Sequence, residues 1–360
     1  NNAGTMKFYG NNSASTIRFV LDDNSRISLS NNDLGTGNTA FGKYALDNDE
    51  AGSNFNVAIG ETAMGSGTLN DATYNVAIGY TALESITTGD GNVVIGADAG
   101  DAITTTSSTV LIGQNAGTAI NSTDANGTVA IGYEAGKAIT HGLKNMAIGY
   151  QALQSATAND YNTAIGYTAL YSISGSDGAE GEANTAVGYR AGYSTTTGNF
   201  NDFHGSSAGY GNTTGQSNVM IGSSAGQNNT IGSNNIYIGY QSGLYQVAKG
   251  ENVAIGTGGL YGASGEASST EASVAIGFQA ARGSSAGVGL TAVGRGALRN
   301  VSDSGSYSTA VGQNSGYYAS GSNNTFVGAS AGLGGTTSAP YSSGTNNTAV
   351  GYQALDAFTT

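Results

Sequence analysis

A short motif that ends in glycine recurs through almost the whole chain, and this repeat limits the possible folds more than any other feature. Segments such as NVAIG at 56–60, NTAIG at 162–166 and NTAVG at 347–351 end in what is called here the anchor glycine. Eighteen anchor glycines follow one another, and nine of the seventeen intervals between them are 17 residues long. A fixed period of this length predicts a solenoid, in which each repeat forms one coil stacked on the next. The anchor glycines are Gly42, Gly60, Gly79, Gly96, Gly113, Gly132, Gly149, Gly166, Gly188, Gly205, Gly222, Gly239, Gly256, Gly277, Gly294, Gly312, Gly328 and Gly351.

The residues next to the anchor glycine alternate in size and predict a β-strand. Ile, Val or Phe comes one residue before the glycine in every copy except the one with His204, and Ala comes two residues before it in 12 copies. This period of two is typical of a strand and excludes a helix. The expected fold class is therefore all-β: a β-solenoid of stacked coils of about 17 residues, with 18 rungs. At ~4.8 Å per rung it forms a rod of roughly 80–90 Å.

Each fixed position of the repeat suggests a structural role. The aliphatic residues before the anchor glycine are expected to form an interior column: Ile59, Ile78, Ile95, Ile112, Ile131, Ile148 and Ile165. The recurrent asparagines are expected at the turn into each strand, bonded to one another as a ladder and tolerant of the left-handed region: Asn145, Asn162, Asn184, Asn201, Asn218, Asn235 and Asn252. The anchor glycines and the alanine columns leave a small face, which is expected to contact another chain.

Two domains are predicted. Residues 36–360 carry the repeat, whereas residues 1–35 contain three short alternating segments separated by turn residues, which predict a β-hairpin or a three-stranded cap. The cap is expected to continue into further sequence upstream, and a C-terminal domain is expected beyond residue 360.

The motif resembles the YadA-like head repeat of trimeric autotransporter adhesins. Residues 56–60 with Ala63, and residues 272–277 with Ala280, are the close matches, although the unit here is longer and often has Thr where that family has Val. The repeats also look like those of bacteriophage tail fibres. Both resemblances cover about residues 36–358, and they imply a parallel homotrimer of left-handed coils.

Composition excludes several classes of function. The formal charge of −13 would repel nucleic acid and anionic membranes. There is no run of apolar residues long enough for a membrane span, and no cysteine for disulfides or thiolate metal sites. Only two histidines and scattered carboxylates are available, so no catalytic residues, no enzyme activity and no cofactor are expected.

One unit departs from the pattern in a way that suggests metal binding. His204 replaces the usual aliphatic residue, and Asp202 lies two residues earlier on the same strand face. Three copies in a trimer could supply nitrogen and oxygen ligands to a metal ion. The favoured interpretation is a histidine paired with its own aspartate that marks a polar rung, so no metal site is predicted and metal binding is the alternative.

Tyrosine is frequent, with 21 residues. The tyrosines that follow an anchor glycine are Tyr80, Tyr133, Tyr150, Tyr167, Tyr189, Tyr240 and Tyr352, and we expect them to form a column that packs against an adjacent chain, with glycan stacking as the alternative. Tyrosines in the variable segments are candidate receptor contacts: Tyr171, Tyr261, Tyr307, Tyr317 and Tyr341.

These features favour a structural attachment fibre, a bacteriophage tail fibre segment that displays loops for host-surface binding. Its expected partners are two further copies, a host glycan or protein receptor and other virion proteins, and its expected location is the virion surface or the cell exterior. The alternatives are a bacterial surface adhesin, an ice-binding solenoid whose Thr array is interrupted by other residues, and a fibre-borne depolymerase. The best acidic set for the depolymerase is Asp177, Glu180 and Glu182.

Overall fold

The computed structural model describes residues 35–47, 52–175, 180–262, 270–284, 286–301, 306–335 and 342–357. Within these ranges the chain is a parallel β-solenoid without an α-helix, and one short 3-10 turn occurs at Thr123–Ala125. The all-β solenoid predicted from the repeat is confirmed. The predicted cap falls on residues that, except for residue 35, lie outside the described ranges. No helix in the described ranges is both long and apolar enough to cross a membrane.

Each repeat contributes one strand of three residues, shorter than the motif suggested. Every strand ends at the residue before an anchor glycine. The strands are β1 Thr39–Phe41, β2 Val57–Ile59, β3 Val76–Ile78, β4 Val93–Ile95, β5 Val110–Ile112, β6 Val129–Ile131, β7 Met146–Ile148, β8 Thr163–Ile165, β9 Thr185–Val187, β10 Asp202–His204, β11 Val219–Ile221, β12 Ile236–Ile238, β13 Val253–Ile255, β14 Val274–Ile276, β15 Thr291–Val293, β16 Thr309–Val311, β17 Thr325–Val327 and β18 Thr348–Val350.

The strands form one parallel sheet in which each strand pairs only with its neighbours in sequence. The register never slips: Val57 pairs with Val76, Ala58 with Ala77 and Ile59 with Ile78, and the equivalent positions pair along the whole ladder. A strand of three residues is too short to be stable alone, so its stability comes from pairing with the strands of the coils above and below it.

The central residue of each strand fills the coil interior, so the prediction of an interior isoleucine column is wrong. Ala58, Ala77 and Ala147 are fully buried, whereas Ile59 is 37 % exposed. The other six residues of the predicted column are half-buried on the outer face: Ile78, Ile95, Ile112, Ile131, Ile148 and Ile165. The strand alternation was predicted correctly, but its direction was reversed. A narrow coil leaves room for a methyl group at this position, and the interior is filled by other residues of the loop.

The alanine column three residues after the anchor glycine is also buried within the chain. Ala63, Ala82 and Ala152 have no exposed surface. The prediction that the small Ala/Gly face contacts another chain is therefore wrong for its alanines, because both alanine columns are packed inside a single chain.

Larger interior residues occur where a glycine makes room for them. Phe203 lies against Gly192 and Gly209, and Tyr237 lies against Gly243. A Cβ atom added at Gly192 would lie 2.6 Å from the Phe203 ring, and one at Gly243 would lie 2.7 Å from the Tyr237 ring. The residue four positions after the anchor glycine is usually Leu or Gly because it shares interior volume with the strand residue.

The anchor glycine is required by the stacking of coils. At Gly222 the backbone φ is +128°, a region that disfavours other residues, and an added Cβ would lie 2.7 Å from the carbonyl oxygen of Gly239 in the next coil. This close approach joins two coils of one chain, so the glycine column serves folding of the single chain.

The predicted asparagine ladder is confirmed. The Asn218 amide nitrogen donates to Asn201 Oδ1 at 3.0 Å and to the Gly232 carbonyl at 2.9 Å. Its own Oδ1 accepts from the backbone and side-chain nitrogens of Asn235, each at 3.0 Å. The side chain thereby satisfies buried backbone groups at the turn into the strand. The left-handed conformation falls one residue earlier than predicted, for example at Ser217, with φ +55°.

Candidate interaction surfaces

The outer side of the strands forms an apolar face, called here the strand face. It consists of the first and third residues of each strand, which flank the buried central residue. Its first column is Val, Thr, Met or Ile in all but β10, and its second column is Ile or Val in all but β1 and β10. Six aliphatic side chains of the second column are 37 to 39 % exposed: Ile59, Ile221, Ile255, Ile276, Val311 and Val327. Such a long aliphatic ladder is typical of an interaction surface.

Asp202 and His204 interrupt the strand face. His204 Nε2 lies 2.7 Å from Asp202 Oδ1, and both side chains are a little over 40 % exposed. They lie on β10 on either side of the buried Phe203, and their neighbours on β9 and β11 are aliphatic except Thr185, which pairs with Asp202. They are the two ionisable residues on the described strand face. One chain therefore presents a single Asp–His pair in apolar surroundings.

A metal ion could not be held by this pair alone. Asp202 and His204 supply one oxygen and one nitrogen ligand, and no cluster of three or more His, Cys, Asp or Glu residues occurs in the described ranges. Zinc in proteins takes three or four protein ligands. Metal binding at Asp202 and His204 would thus need other copies of the chain, and it stays a prediction.

The tyrosines that follow the anchor glycines form an exposed stack. Neighbouring rings in the run Tyr133, Tyr150, Tyr167 and Tyr189 lie 5.1 to 5.5 Å apart with planes tilted by 7 to 17°. These four rings are 39 to 48 % exposed in the single chain. Aromatic rings in such an array can contact another protein chain or the apolar faces of sugars.

A second aromatic stack runs five residues after the anchor glycine, and the sequence interpretation missed it. Tyr171, Tyr193 and Tyr210 stack at 5.1 and 5.3 Å. The guanidinium of Arg190 lies over Tyr189 of the first stack and over Tyr193 of the second, which brings the two stacks together. Tyr171 is therefore columnar and does not belong to a variable loop. Counting from the anchor glycine, as for the first stack, would have found this column.

The other candidate receptor contacts lie in different surroundings. Tyr261 packs edge-on against Tyr245 and beneath the guanidinium of Arg282, and Tyr307 is 64 % exposed. Tyr317 contacts Tyr318 and accepts a hydrogen bond from Arg299. Tyr341 lies outside the described residues. Tyr261 and Tyr317 belong, like Tyr171, to the column five residues after the glycine.

A buried polar network around Glu134 was also missed. The carboxylate accepts hydrogen bonds from Lys137 Nζ at 2.7 Å, Gln151 Nε2 at 2.7 Å and Gln154 Nε2 at 2.9 Å. The residue is only 8 % exposed. The hydrogen bond from Lys137, followed by that from Gln151, lowers the pKa of Glu134. All donors of this network belong to the same or the next coil, so the network joins two coils.

The acidic set of the depolymerase alternative is only partly described, since Asp177 lies outside the described ranges. The Glu180 carbonyl accepts a hydrogen bond from Asn159, and the Glu182 amide donates to Asn199. Burial, followed by the charge of Asp160, raises the pKa of Glu182. A raised pKa suits a general acid, and depolymerase activity at this acidic set stays a prediction.

Comparison with protein-family models finds no match, and comparison with curated proteins finds none either. The function of the chain therefore has to be inferred from its own surfaces.

Proposed function

We propose that this chain is the rod-forming segment of a trimeric attachment fibre, with bacteriophage tail fibre as the leading assignment. The observation that carries the proposal is the strand face, an apolar ladder along the rod that the chain's own described loops leave half-exposed. A second chain laid along this face would remove each aliphatic side chain from water and gain roughly 25 cal/mol per Å² of buried apolar surface.

Each of three parallel chains would bury its strand face against the other two, because every chain presents the same ladder in a constant register. The assembly would be a homotrimer, and the interface would use the Ile and Val columns in place of the small Ala/Gly face first expected. The Asp202–His204 pairs of the three chains would meet at one level of this interface, and they would act there as a polar register mark. The same proposal includes left-handed winding of the coils in each chain.

The flanks of the rod remain for binding a host glycan or protein. The exposed tyrosine stacks lie beside the anchor glycines, outside the strand face. Such a rod suits a place on the virion surface, joined to other virion proteins at its ends. A bacterial surface adhesin would use the same architecture and is the first alternative.

The native mass of the purified chain, measured by light scattering, tests the trimer. We expect three times 35.7 kDa. A double variant, Ile255→Asp with Ile276→Asp, places charges on the strand face of adjacent coils and should give a folded monomer, because burying unpaired charges at an interface is very costly.

The matched control changes two exposed residues of adjacent coils outside the strand face, Ala248→Asp and Thr257→Asp, and should leave the mass at that of a trimer. A monomer from the unmodified chain would contradict the proposal. It would favour the ice-binding alternative, because the outer Thr residues, such as Thr309, would then face water.

A further inference from the structure

A cleft of about 320 Å³ opens on the flank of the rod between the coils of β14 and β17. Phe278, Tyr317, Tyr318 and Leu333 supply its apolar walls, and Arg295, Arg299, Gln279 and Asn314 supply its polar groups. The volume lies at the lower end of the ~300–1,000 Å³ range of small-molecule sites. No residue of a strand lines it, so it is separate from the strand face.

Two arginines dominate the cleft, and each is held by an aromatic ring. The Arg299 guanidinium donates through Nε to Gln279 Oε1 at 2.8 Å and through Nη1 to the Tyr317 hydroxyl, and it lies 5.3 Å from the centre of the Tyr317 ring. The Arg295 guanidinium lies 5.8 Å from the centre of the Phe278 ring. Cation–π contacts of this kind fix the orientation of a guanidinium without neutralising it.

Neither arginine has a carboxylate partner in the described part of the chain. The four ion pairs recorded there join other residues. Arginine is charged at all ordinary pH values, so among the described residues no ion pair offsets the positive charge that the two guanidinium groups present to the cleft. Arg295 is also an exposed residue, which makes its guanidinium accessible to a ligand.

The surrounding sequence adds to the positive charge around the cleft. Residues 272–355 contain three basic residues, all arginines, and a single acidic residue, Asp303, although the whole chain carries a net charge of −13. Half of the six arginines of the chain lie between residues 282 and 299. The cleft is thus located in a long segment that carries a net positive charge within an acidic protein, which favours an anion.

The cleft is also preorganised by the repeat. Its residues come from positions one, two, five and six after successive anchor glycines, and the backbone at these positions is held by hydrogen bonds between coils. For example, Gly296 N donates to Phe278 O and Asn314 N donates to Arg295 O, at 2.9 and 2.8 Å. A rigid backbone reduces the entropy lost when a ligand binds.

We propose that this cleft binds a carboxylate-bearing sugar unit of an acidic polysaccharide. The planar guanidinium of Arg295, with Arg299 behind it, suits the two oxygens of a carboxylate. The rings of Phe278 and Tyr317 offer apolar faces for a sugar ring, and the Gln279 and Asn314 amides can exchange hydrogen bonds with sugar hydroxyls. This inference rests on the receptor-binding part of the proposed function and gives it a location and a ligand class.

Isothermal titration calorimetry on the full chain tests the proposal. The probes are tri-galacturonic acid, tri-glucuronic acid and a sialylated trisaccharide, with a neutral galactose trisaccharide and inorganic sulfate for comparison. We expect at least one acidic saccharide to bind, the neutral one to bind at least tenfold more weakly, and the affinity to fall as salt is raised.

Arg295→Gln should weaken binding of the acidic saccharide about tenfold or more, while circular dichroism shows an unchanged fold. The control is Lys43→Gln, which removes an exposed cation paired with Glu61 many coils away from the cleft and should bind as the parent does.

Several results would overturn the proposal: no binding of any acidic saccharide, equal affinity for the neutral one, sulfate bound as tightly as the saccharide, or an Arg295→Gln variant that binds normally. Light scattering on the same sample reports the oligomeric state. A trimer that binds no acidic saccharide would contradict the proposed cleft and leave the trimeric fibre standing. A monomer that binds the saccharide would contradict the trimeric fibre and leave the cleft standing.

Discussion

At the scale of single residues, two sets of buried polar side chains form hydrogen bonds with the neighbouring coils. The asparagine ladder does this at the turn into each strand, and the Glu134 network does it beside the tyrosine stack. Tyr237 is an exception, because its buried hydroxyl has no hydrogen bond of ordinary geometry in the described ranges. Burial raises the pKa of Tyr237, and the Asn252 side chain partly offsets this increase.

Replacing one ladder asparagine should destabilise the coils on both sides. In Asn218→Ala, the Gly232 carbonyl, the Asn201 side chain and the Asn235 backbone nitrogen all lose a buried partner. An unsatisfied buried group costs about 1–3 kcal/mol, so we expect a loss of ~2–4 kcal/mol. Chemical denaturation measures it. Asn121→Ala, at an exposed site, is the control and should change stability by less than ~0.5 kcal/mol.

Glu134 should make the stability depend on pH. Its pKa is lowered in the folded chain, so the unfolded chain binds a proton first as the pH falls. The stabilisation is present well above the ordinary glutamate value near 4.5 and is lost as the pH drops through the lower folded value. We expect Glu134→Gln to be less stable than the parent by about 1 kcal/mol at pH 7.

Melting temperatures of the parent and Glu134→Gln should converge toward pH 3. Glu61→Gln, at an exposed ion pair with Lys43, is the control and should have little effect at either pH. A constant difference between Glu134→Gln and the parent from pH 7 to pH 3 would mean that the lowered pKa does not stabilise the fold.

At the scale of the single coil, two glycines with similarly restricted backbones differ in what surrounds them. Gly222 has φ +128° and contacts the backbone of the next coil, whereas Gly91 has φ +66° and open space where a Cβ would lie. The first is needed for close stacking of coils and the second only for a turn.

Gly222→Ala should therefore separate β11 from β12, while Gly91→Ala should cost only the strain of a left-handed alanine, about 1 kcal/mol. Hydrogen exchange of the Val219 and Gly239 amides, which donate to the Asn235 and Ile221 carbonyls and so join the coils of β11 and β12, measures the difference. Equal protection of these amides in both variants would show that the contact between glycines does not limit stacking.

At the scale of the whole molecule, each strand pairs only with the strands of the adjacent coils, so a complete coil is a removable unit. Deleting residues 150–166 would join Gly149 to Tyr167 and bring β7 onto β9. The new neighbours keep the pattern, since Ala147 would meet Ala186 inside the coil and Asn145 would meet Asn184 in the ladder.

We expect this deletion variant to fold and to keep the β-sheet signal in circular dichroism, with a melting temperature within a few degrees of the parent. The control removes residues 150–158, about half a coil, and should unfold or aggregate because only residues 159–162 would remain to carry the chain around the coil from Gly149 to β8. Similar behaviour of the two variants would contradict the coil as the unit of folding.

The sequence by itself determined the period, the strand position and the asparagine ladder. These follow from local rules, because a period of two specifies a strand and a period of 17 specifies stacked coils, whatever the rest of the structure is. The strand residues and Asn218 were accordingly predicted in their correct places.

Only the tertiary structure decided which side of the strand faces inward, and where the columns after the anchor glycine come together. Alternation leaves both sides of a strand open, and the side is chosen by the volume of the closed coil, which takes Ala58 and admits a larger residue such as Phe203 where a glycine makes room for it. The cleft around Arg295 joins residues from four coils, and the distance between them in space depends on stacking that no single repeat encodes.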